Sequence, residues 1–337
     1  MPASNVRYIG IKTFEKPLIQ IDLDLSNHCN YACSYCGPAF NGATSKWQDY
    51  GKIIKLVESV QEEYPNSNIF LQLKGGEPTQ WPDLNKFLDI ISTYENIEIG
   101  IITNLSRTKR FWKELNFTKV SRIIASFHAK QADSDQFIEN AKVLWDNQKT
   151  TRFSLLLLMD KPYFKKIIEL VNKIKKLDKP YNNMANNCTT TKILLPDDTV
   201  TQYNNEEEKV IKDLKGYFHD ELITHGIAIW KTVTASTNNH NVPWEFVLQS
   251  AQNDYRGWTC FAGMRKLMID SNGDIYGAQC KINKLGNLNT TWKLNKEPVI
   301  CNIRYCACLS DIQIPKTLNS TTTLPELEVL YSTGDVI

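Results

Sequence analysis

Two hydrophobic rhythms take turns along the first two hundred residues. Apolar runs of strand length occur at 19–25, 69–73, 97–103, 123–127, 153–159 and 192–195, and between them apolar residues return every three to four positions. Ile53, Leu56, Val57, Val60 and Tyr64 keep the helical spacing, as do Leu84, Phe87, Leu88 and Ile91, and again Phe164, Ile167, Ile168, Val171 and Ile174. Asp160 and Pro162 stand where an N-cap and a first-turn proline belong, and further helices are predicted after Ser106 and after Asp133. Six strands alternating with helices predict right-handed βαβ units and a parallel sheet. The pattern alone allows an open doubly wound sheet or an incomplete barrel; in both, ligands gather at the C-terminal strand ends.

After Pro196 the texture changes. Residues 206–218 run from acidic to basic with helical spacing, 223–230 read as a strand, and the Thr/Asn-rich stretch 232–241 reads as a loop. A hairpin is predicted from 266–270, the turn Ser271-Asn272-Gly273-Asp274, and 275–279. The tail beyond Lys316, with Ser320 to Thr323, is expected to lack firm structure. No internal repeat is visible.

Composition narrows the class. The 337 residues are 42% hydrophobic and 23% charged with a net charge of +2, so neither nucleic-acid nor membrane-surface binding is expected on electrostatic grounds. The longest apolar run, Leu155 to Met159, is far short of a membrane span, and Met1-Pro2-Ala3-Ser4-Asn5 has no basic stretch leading into an apolar one. A cytoplasmic protein is the expectation. Its nine cysteines then need a purpose other than disulfides, and they are bunched: three within 29–36, five within 260–308, and Cys188 alone as a small buried residue.

Cys29, Cys33 and Cys36 form C-x3-C-x2-C directly after the first predicted strand. Thiolates are soft ligands for iron–sulfur clusters, zinc or copper(I). Three on one tight loop hold three irons of a cubane and leave the fourth iron without a protein ligand, which is of use only where a substrate or cofactor binds the metal. A structural zinc site wants four ligands, and His28, adjacent to Cys29, is an awkward fourth. The loop closely resembles the signature of the radical S-adenosylmethionine superfamily, C-x3-C-x-aromatic-C, with Tyr35 as the aromatic. The resemblance implies that a [4Fe-4S] cluster on these catalytic cysteines chelates S-adenosylmethionine and, once reduced, cleaves it to a 5′-deoxyadenosyl radical, with Tyr35 against the adenine. Gly75-Gly76-Glu77-Pro78, ending the second predicted strand, looks like the family's Gly-Gly-Glu-Pro motif and implies backbone contacts to the cofactor's ammonium at Gly75 and Gly76, with Glu77 beside them. Thr103, Asn104 and Ser126 resemble the cofactor-contacting polar residues at the next two strand ends, and His128 follows as a substrate-facing group, a proton donor or a loop histidine. Together these imply an α/β partial (β/α)6 TIM-like barrel.

In the C-terminal part, Cys260, a glycine-bearing hairpin, Cys280, and then Cys301, Cys306 and Cys308 in C-x4-C-x-C resemble the superfamily's auxiliary-cluster extensions, the twitch and SPASM domains. The resemblance implies one auxiliary [4Fe-4S] cluster in a small, cysteine-rich, hairpin-containing extension. Cys260, Cys280, Cys306 and Cys308 are the first-choice ligands, with Cys301 as substitute; a four-cysteine zinc ribbon is the competing reading. The implied organisation is a core at 1–200, a connecting segment at 201–257, the auxiliary domain at 258–316 and a tail at 317–337.

The expected activity is oxidation, epimerisation or rearrangement of a small polar metabolite, such as a sugar or nucleotide derivative, begun by hydrogen abstraction and assisted by the second cluster. A reductase or a flavodoxin- or ferredoxin-type protein would supply the electron. A peptide-modifying maturase is the alternative, although only about seventeen residues precede the first predicted strand, too few for a leader-binding domain. A non-catalytic iron–sulfur electron-transfer protein predicts no S-adenosylmethionine binding, and a zinc-stabilised binding module predicts a colourless one.

Overall fold

The computed structural model describes residues 6–11, 17–36, 45–148, 151–193, 201–214, 233–237, 240–242, 253–306, 308–312 and 314–317. Ahead of the first predicted strand lies another, β1 (Val6–Ile11). The barrel strands follow as β2 (Leu18–Asp24), β3 (Asn68–Lys74), β4 (Ile97–Thr103), β5 (Val120–Phe127), β6 (Arg152–Met159) and β7 (Cys188–Lys192). Adjacent members of β2 to β7 pair in parallel, in sequence order. This is the partial barrel, and the open sheet is excluded.

Burial is near-continuous along β2 and β3, which are covered on both faces, and thins towards β7, where only Cys188 is buried. On β2, Ile19, Ile21 and Leu23 join the main apolar core, while Gln20 and Asp22 between them are buried polar residues joined by a 2.8 Å hydrogen bond. The helices bring the matching apolar stripes. In α1 (Tyr50–Glu63), capped by the Asp49 side chain on the Lys52 amide, Ile53, Leu56, Val57 and Val60 are buried. In α2 (Leu84–Ile91) the four predicted residues are buried. Thr108 caps α3 (Lys109–Glu114) and Asp133 caps α4 (Ser134–Asp146), while α5 (Phe164–Lys175) buries Ile167, Leu170, Val171 and Ile174. Asp160 precedes a 3-10 turn, Lys161–Tyr163, and makes no side-chain cap bond, so the predicted cap is not formed.

The second half departs more from the sequence reading. The sixth barrel strand is Cys188–Lys192 rather than 192–195, and α6 is Asn205–Asp213, with a capping box between Asn204 and Glu207. The expected loop at 232–241 contains two paired strands, β8 (Val233–Thr237) and β9 (His240–Val242). With β1, β10 (Thr259–Cys260), β14 (Val299–Ile300) and β15 (Lys316–Thr317) they make an antiparallel sheet in the order β14-β10-β15-β1-β8-β9. The strand expected at 223–230 and the tail beyond 317 lie outside the described residues.

The predicted hairpin is present as β11 (Lys266–Ile269) and β12 (Asp274–Tyr276), with β13 (Lys284–Asn287) beyond. It does not stand apart: β11 pairs in parallel with β2, so the barrel sheet has nine strands in the order β13-β12-β11-β2-β3-β4-β5-β6-β7. A second apolar cluster, around Tyr255, Trp258, Phe261, Ile312 and Ile314, surrounds the C-terminal cysteines.

Candidate active site

The C-terminal ends of β2, β3, β4 and β5 meet around a cavity of ≈ 200 Å³. Its lining includes Cys29, Cys33, Cys36, Gly75, Gly76, Glu77, Thr103, Asn104 and Ser126, so most of the predicted residues come together. Tyr35 and Pro78 are not in the lining. Pro78 opens a 3-10 turn, Pro78–Gln80, whose N-cap is Glu77. Tyr35 stacks on His128, with its hydroxyl 2.9 Å from Nδ1.

Backbone contacts hold the cysteine loop against the β3 exit. The Gly76 amide donates to the Ser26 carbonyl and the Glu77 amide to the His28 carbonyl, both at 2.8 Å. Gly75 has φ +120°, and a Cβ there would come within 2.5 Å of the Ser26 carbonyl oxygen; one at Gly76 would strike the His28 carbonyl. Only glycine permits this approach. The N–H groups of Gly76 and Glu77 are thus spent on the loop.

The Glu77 side chain is engaged within the protein. Its buried carboxylate accepts from Thr79 N (3.0 Å), Thr79 Oγ1 (2.6 Å), Thr103 Oγ1 (2.7 Å) and Asn104 N (2.6 Å). Burial pushes its pKa up while these four donors pull it down. The side chain ties the ends of β3 and β4 together. Asn104 reaches the loop in turn, through Asn30 Oδ1 at 3.0 Å and Cys29 Sγ at 3.9 Å.

The thiols are coupled. A hydrogen bond to Cys36, followed by burial, pushes the Cys33 thiol up to about 12, and the same bond lowers Cys36. Cys33 Sγ is 3.3 Å from His128 Nδ1. Burial raises Cys29 as well. Besides His128, the cavity is lined by three residues that sequence patterning did not single out for the site, Tyr31, Lys74 and Ile102. Lys74 is paired with Asp24 at 2.9 Å, and its place as the last residue of β3, next to the double glycine, was the available signal.

A second, small cavity is lined by Cys260, Cys280, Cys301 and Cys306 with Asp311, Lys316 and apolar side chains. Cys308, a first-choice ligand, is not among them. Its sulfur lies 3.1 Å from Ser310 Oγ, where the chain enters the short helix Leu309–Ile312, and Cys301 stands in the quartet instead. Burial raises Cys260, and brings Cys280 and Cys306 up to about 12. Cys188 is buried away from both cavities, with its thiol pushed up to about 12 by burial. Among the described residues no group of three or more His, Cys, Asp or Glu is drawn tightly enough to hold a single metal ion. No helix among them is long and apolar enough to cross a membrane.

A family profile described as the Radical SAM superfamily matches residues 23–204, more than half of the chain. The chain is 24% identical over 141 residues to the GTP 3′,8-cyclase of Nautilia profundicola, across 40% of this chain and 42% of that protein. To the GTP 3′,8-cyclase of Campylobacter curvus it is 25% identical over 123 residues, across 36% and 38%. The match thus spans less than half the length of these curated relatives. Among solved structures, a histidine-tagged anSMEcpe with bound AdoMet superposes with a TM-score of 0.50 at 17% identity, over 82% of this chain and 76% of that one. At that identity the likeness concerns the fold.

Proposed function

Because this chain belongs to the radical SAM superfamily, we propose that it cleaves S-adenosylmethionine reductively and aims the resulting 5′-deoxyadenosyl radical at a hydrogen atom of a small polar substrate. The observation that carries this reading is the convergence of three thiols from one loop with the Gly75-Gly76-Glu77 strand exit around one cavity. The donor set fits a [4Fe-4S] cluster with one iron lacking a protein ligand: three soft sulfurs line the cavity, with no fourth cysteine. When bound, that cluster supplies the electron that breaks the sulfonium carbon–sulfur bond.

The chain's own residues bind and orient. Cys29, Cys33 and Cys36 hold the metal, and the carbonyls of Gly75 and Gly76 receive the cofactor's ammonium. Thr103, Asn104 and Ser126 offer polar contacts to the rest of the cofactor, and Glu77 keeps the first two in place. The stacked Tyr35–His128 pair backs the loop behind Cys33. The curated relatives are GTP 3′,8-cyclases by name, in keeping with a nucleotide or sugar derivative as substrate; a peptide side chain is the alternative.

Cys260, Cys280, Cys301 and Cys306 form the ligand set we assign to an auxiliary [4Fe-4S] cluster. Four thiols also suit zinc, and metal analysis separates the two. The domain division proposed is a core at 1–200, a connection at 201–257, the auxiliary region at 258–316 and a tail at 317–337, in a cytoplasmic enzyme reduced by a flavodoxin- or ferredoxin-type donor or a reductase. The test is anaerobic incubation of reconstituted protein with S-adenosylmethionine and dithionite. 5′-Deoxyadenosine should form, and should vanish when Cys29, Cys33 and Cys36 are changed together to alanine; undiminished product from that variant refutes the proposal.

A further inference from the structure

Four buried side chains of alternating charge run from the barrel lumen to the C-terminal cysteines. Asp22 on β2 pairs with Lys266 on β11 at 2.9 Å, and Lys266 lies 3.9 Å from Asp311. Lys316 on β15 closes the series, and none of the four is more than 5% exposed. Asp22, Lys266 and Asp311 together carry one excess negative charge, which Lys316 offsets, and the carboxylate of Asp311 also accepts the backbone amides of Gln279 (2.9 Å) and Cys280 (2.6 Å).

Lys316 is differently placed. Its Nζ donates to two backbone carbonyls, those of Asp311 (2.6 Å) and Ile314 (2.9 Å), and sits 5.3 Å from the centre of the Tyr255 ring. Among the described residues no carboxylate forms an ion pair with it. What shares its cavity is the cysteine quartet and apolar side chains, together with Asp311, whose carboxylate is already engaged. Lys316 also stands opposite Cys260 in the pairing of β15 with β10. Lys316 therefore sets a fixed positive charge in the wall of the cysteine cavity, with the Asp311 carboxylate tied to the Gln279 and Cys280 amides in the same wall.

We propose that Lys316 is a positioning residue that stabilises the more negative oxidation state of a centre held by Cys260, Cys280, Cys301 and Cys306, and thereby sets its reduction potential. The inference rests on reading that site as an iron–sulfur cluster. Four thiolates around a cubane give a net anion that becomes one charge more negative on one-electron reduction. The electron comes from an external reductant, no bond breaks and no proton moves. A fixed positive charge in a low-dielectric pocket favours the more negative state. Two carbonyls anchor the ammonium, so it cannot swing away when the centre is oxidised.

The test uses the full-length chain with Cys29, Cys33 and Cys36 changed to alanine, so that only the C-terminal site loads. Iron and sulfide are assayed, and an anaerobic redox titration is followed by electron paramagnetic resonance. Lys316→Met should retain iron and sulfide while the ratio of reduced to oxidised centre at a given potential falls at least tenfold, about 59 mV for one electron. Lys316→Arg should keep the parent ratio. Should Lys316→Met fail to load, Lys316→Gln, which keeps hydrogen-bond donors without the charge, should show the same fall. Full iron with an unchanged ratio in either neutral variant overturns the role of Lys316. Zinc, or no sulfide, in the parent overturns the cluster reading and the inference with it, a failure told apart by metal content alone.

Discussion

Replacing Glu77 with glutamine tests whether the site's frame is held by a buried carboxylate. Two of its four donors are backbone N–H groups, Thr79 N on one oxygen and Asn104 N on the other, and neither can accept. Three donors converge on Oε1 and one on Oε2, a set of acceptor demands that a carboxylate meets more fully than a carboxylic acid, although burial raises its pKa. In Glu77→Gln the best amide orientation keeps the oxygen towards Thr79 and Thr103 and turns NH2 against the Asn104 amide. That orphans one buried N–H at about 1–3 kcal/mol, and weakens three charge-assisted bonds to neutral ones at about 0.5–1 kcal/mol each. Relief of the buried charge returns part of this, leaving a net loss of about 2–4 kcal/mol. Anaerobic urea unfolding followed by circular dichroism measures it. Because Thr103 and Asn104 line the cavity, affinity for S-adenosylmethionine should fall about tenfold, equivalent to about 1.4 kcal/mol. A glutamine variant with parental stability and affinity would show that Glu77 is protonated, and would refute the reasoning.

Gly76→Ala should destabilise the protein by about 1–3 kcal/mol and lower the iron retained at the N-terminal site, because the added Cβ meets only backbone at His28 and Asn27, with no side chain to swing aside; iron per chain after gel filtration reads this out. Asp22→Asn should cost about 1–3 kcal/mol, because the buried Lys266 ammonium loses its 2.9 Å partner and keeps only Asp311 at 3.9 Å, and the double change Asp22→Asn with Lys266→Met should be non-additive in a urea double-mutant cycle. Cys188 has a folded pKa of about 12 against an ordinary value near 9. The unfolded state therefore loses its proton first. Stability from this group is intact below pH ~9 and falls as pH rises towards ~12. Cys188→Ala in the apoprotein should flatten the alkaline decline of the urea midpoint, and an unchanged slope would count against a buried, protonated thiol.

Much of the barrel was legible because its signal is local. Strands β2 to β6 and their helices follow periods of two and 3.6, and the three cysteines with Gly75-Gly76 could be placed because they sit at consecutive strand exits. What failed was what depends on distant partners. The strand Cys188–Lys192 carries three threonines in a row, so its apolar signal is weaker than that of the residues just after it. Val233–Thr237 reads as a polar loop, yet it pairs with β1 more than two hundred residues earlier, where β-branched threonines suit a sheet. Cys301 and Cys308 could not be ranked from C-x4-C-x-C, because the spacing does not say which sulfur the turn into Leu309–Ile312 carries away from the cavity.

The same long-range dependence bears on how the two thiol cavities relate. The hairpin beginning at Lys266 is the next strand of the barrel sheet, and β11 runs parallel to β2, whose end launches the N-terminal cysteine loop. Lys74, in the first cavity, donates to the Gln279 side chain at 3.4 Å, and the Gln279 amide donates to Asp311, which lines the second. Gln279 is also the residue before Cys280. The β11–β2 pairing, the Asp22–Lys266 ion pair and Gln279 thus join the region of the C-terminal quartet to the barrel mouth.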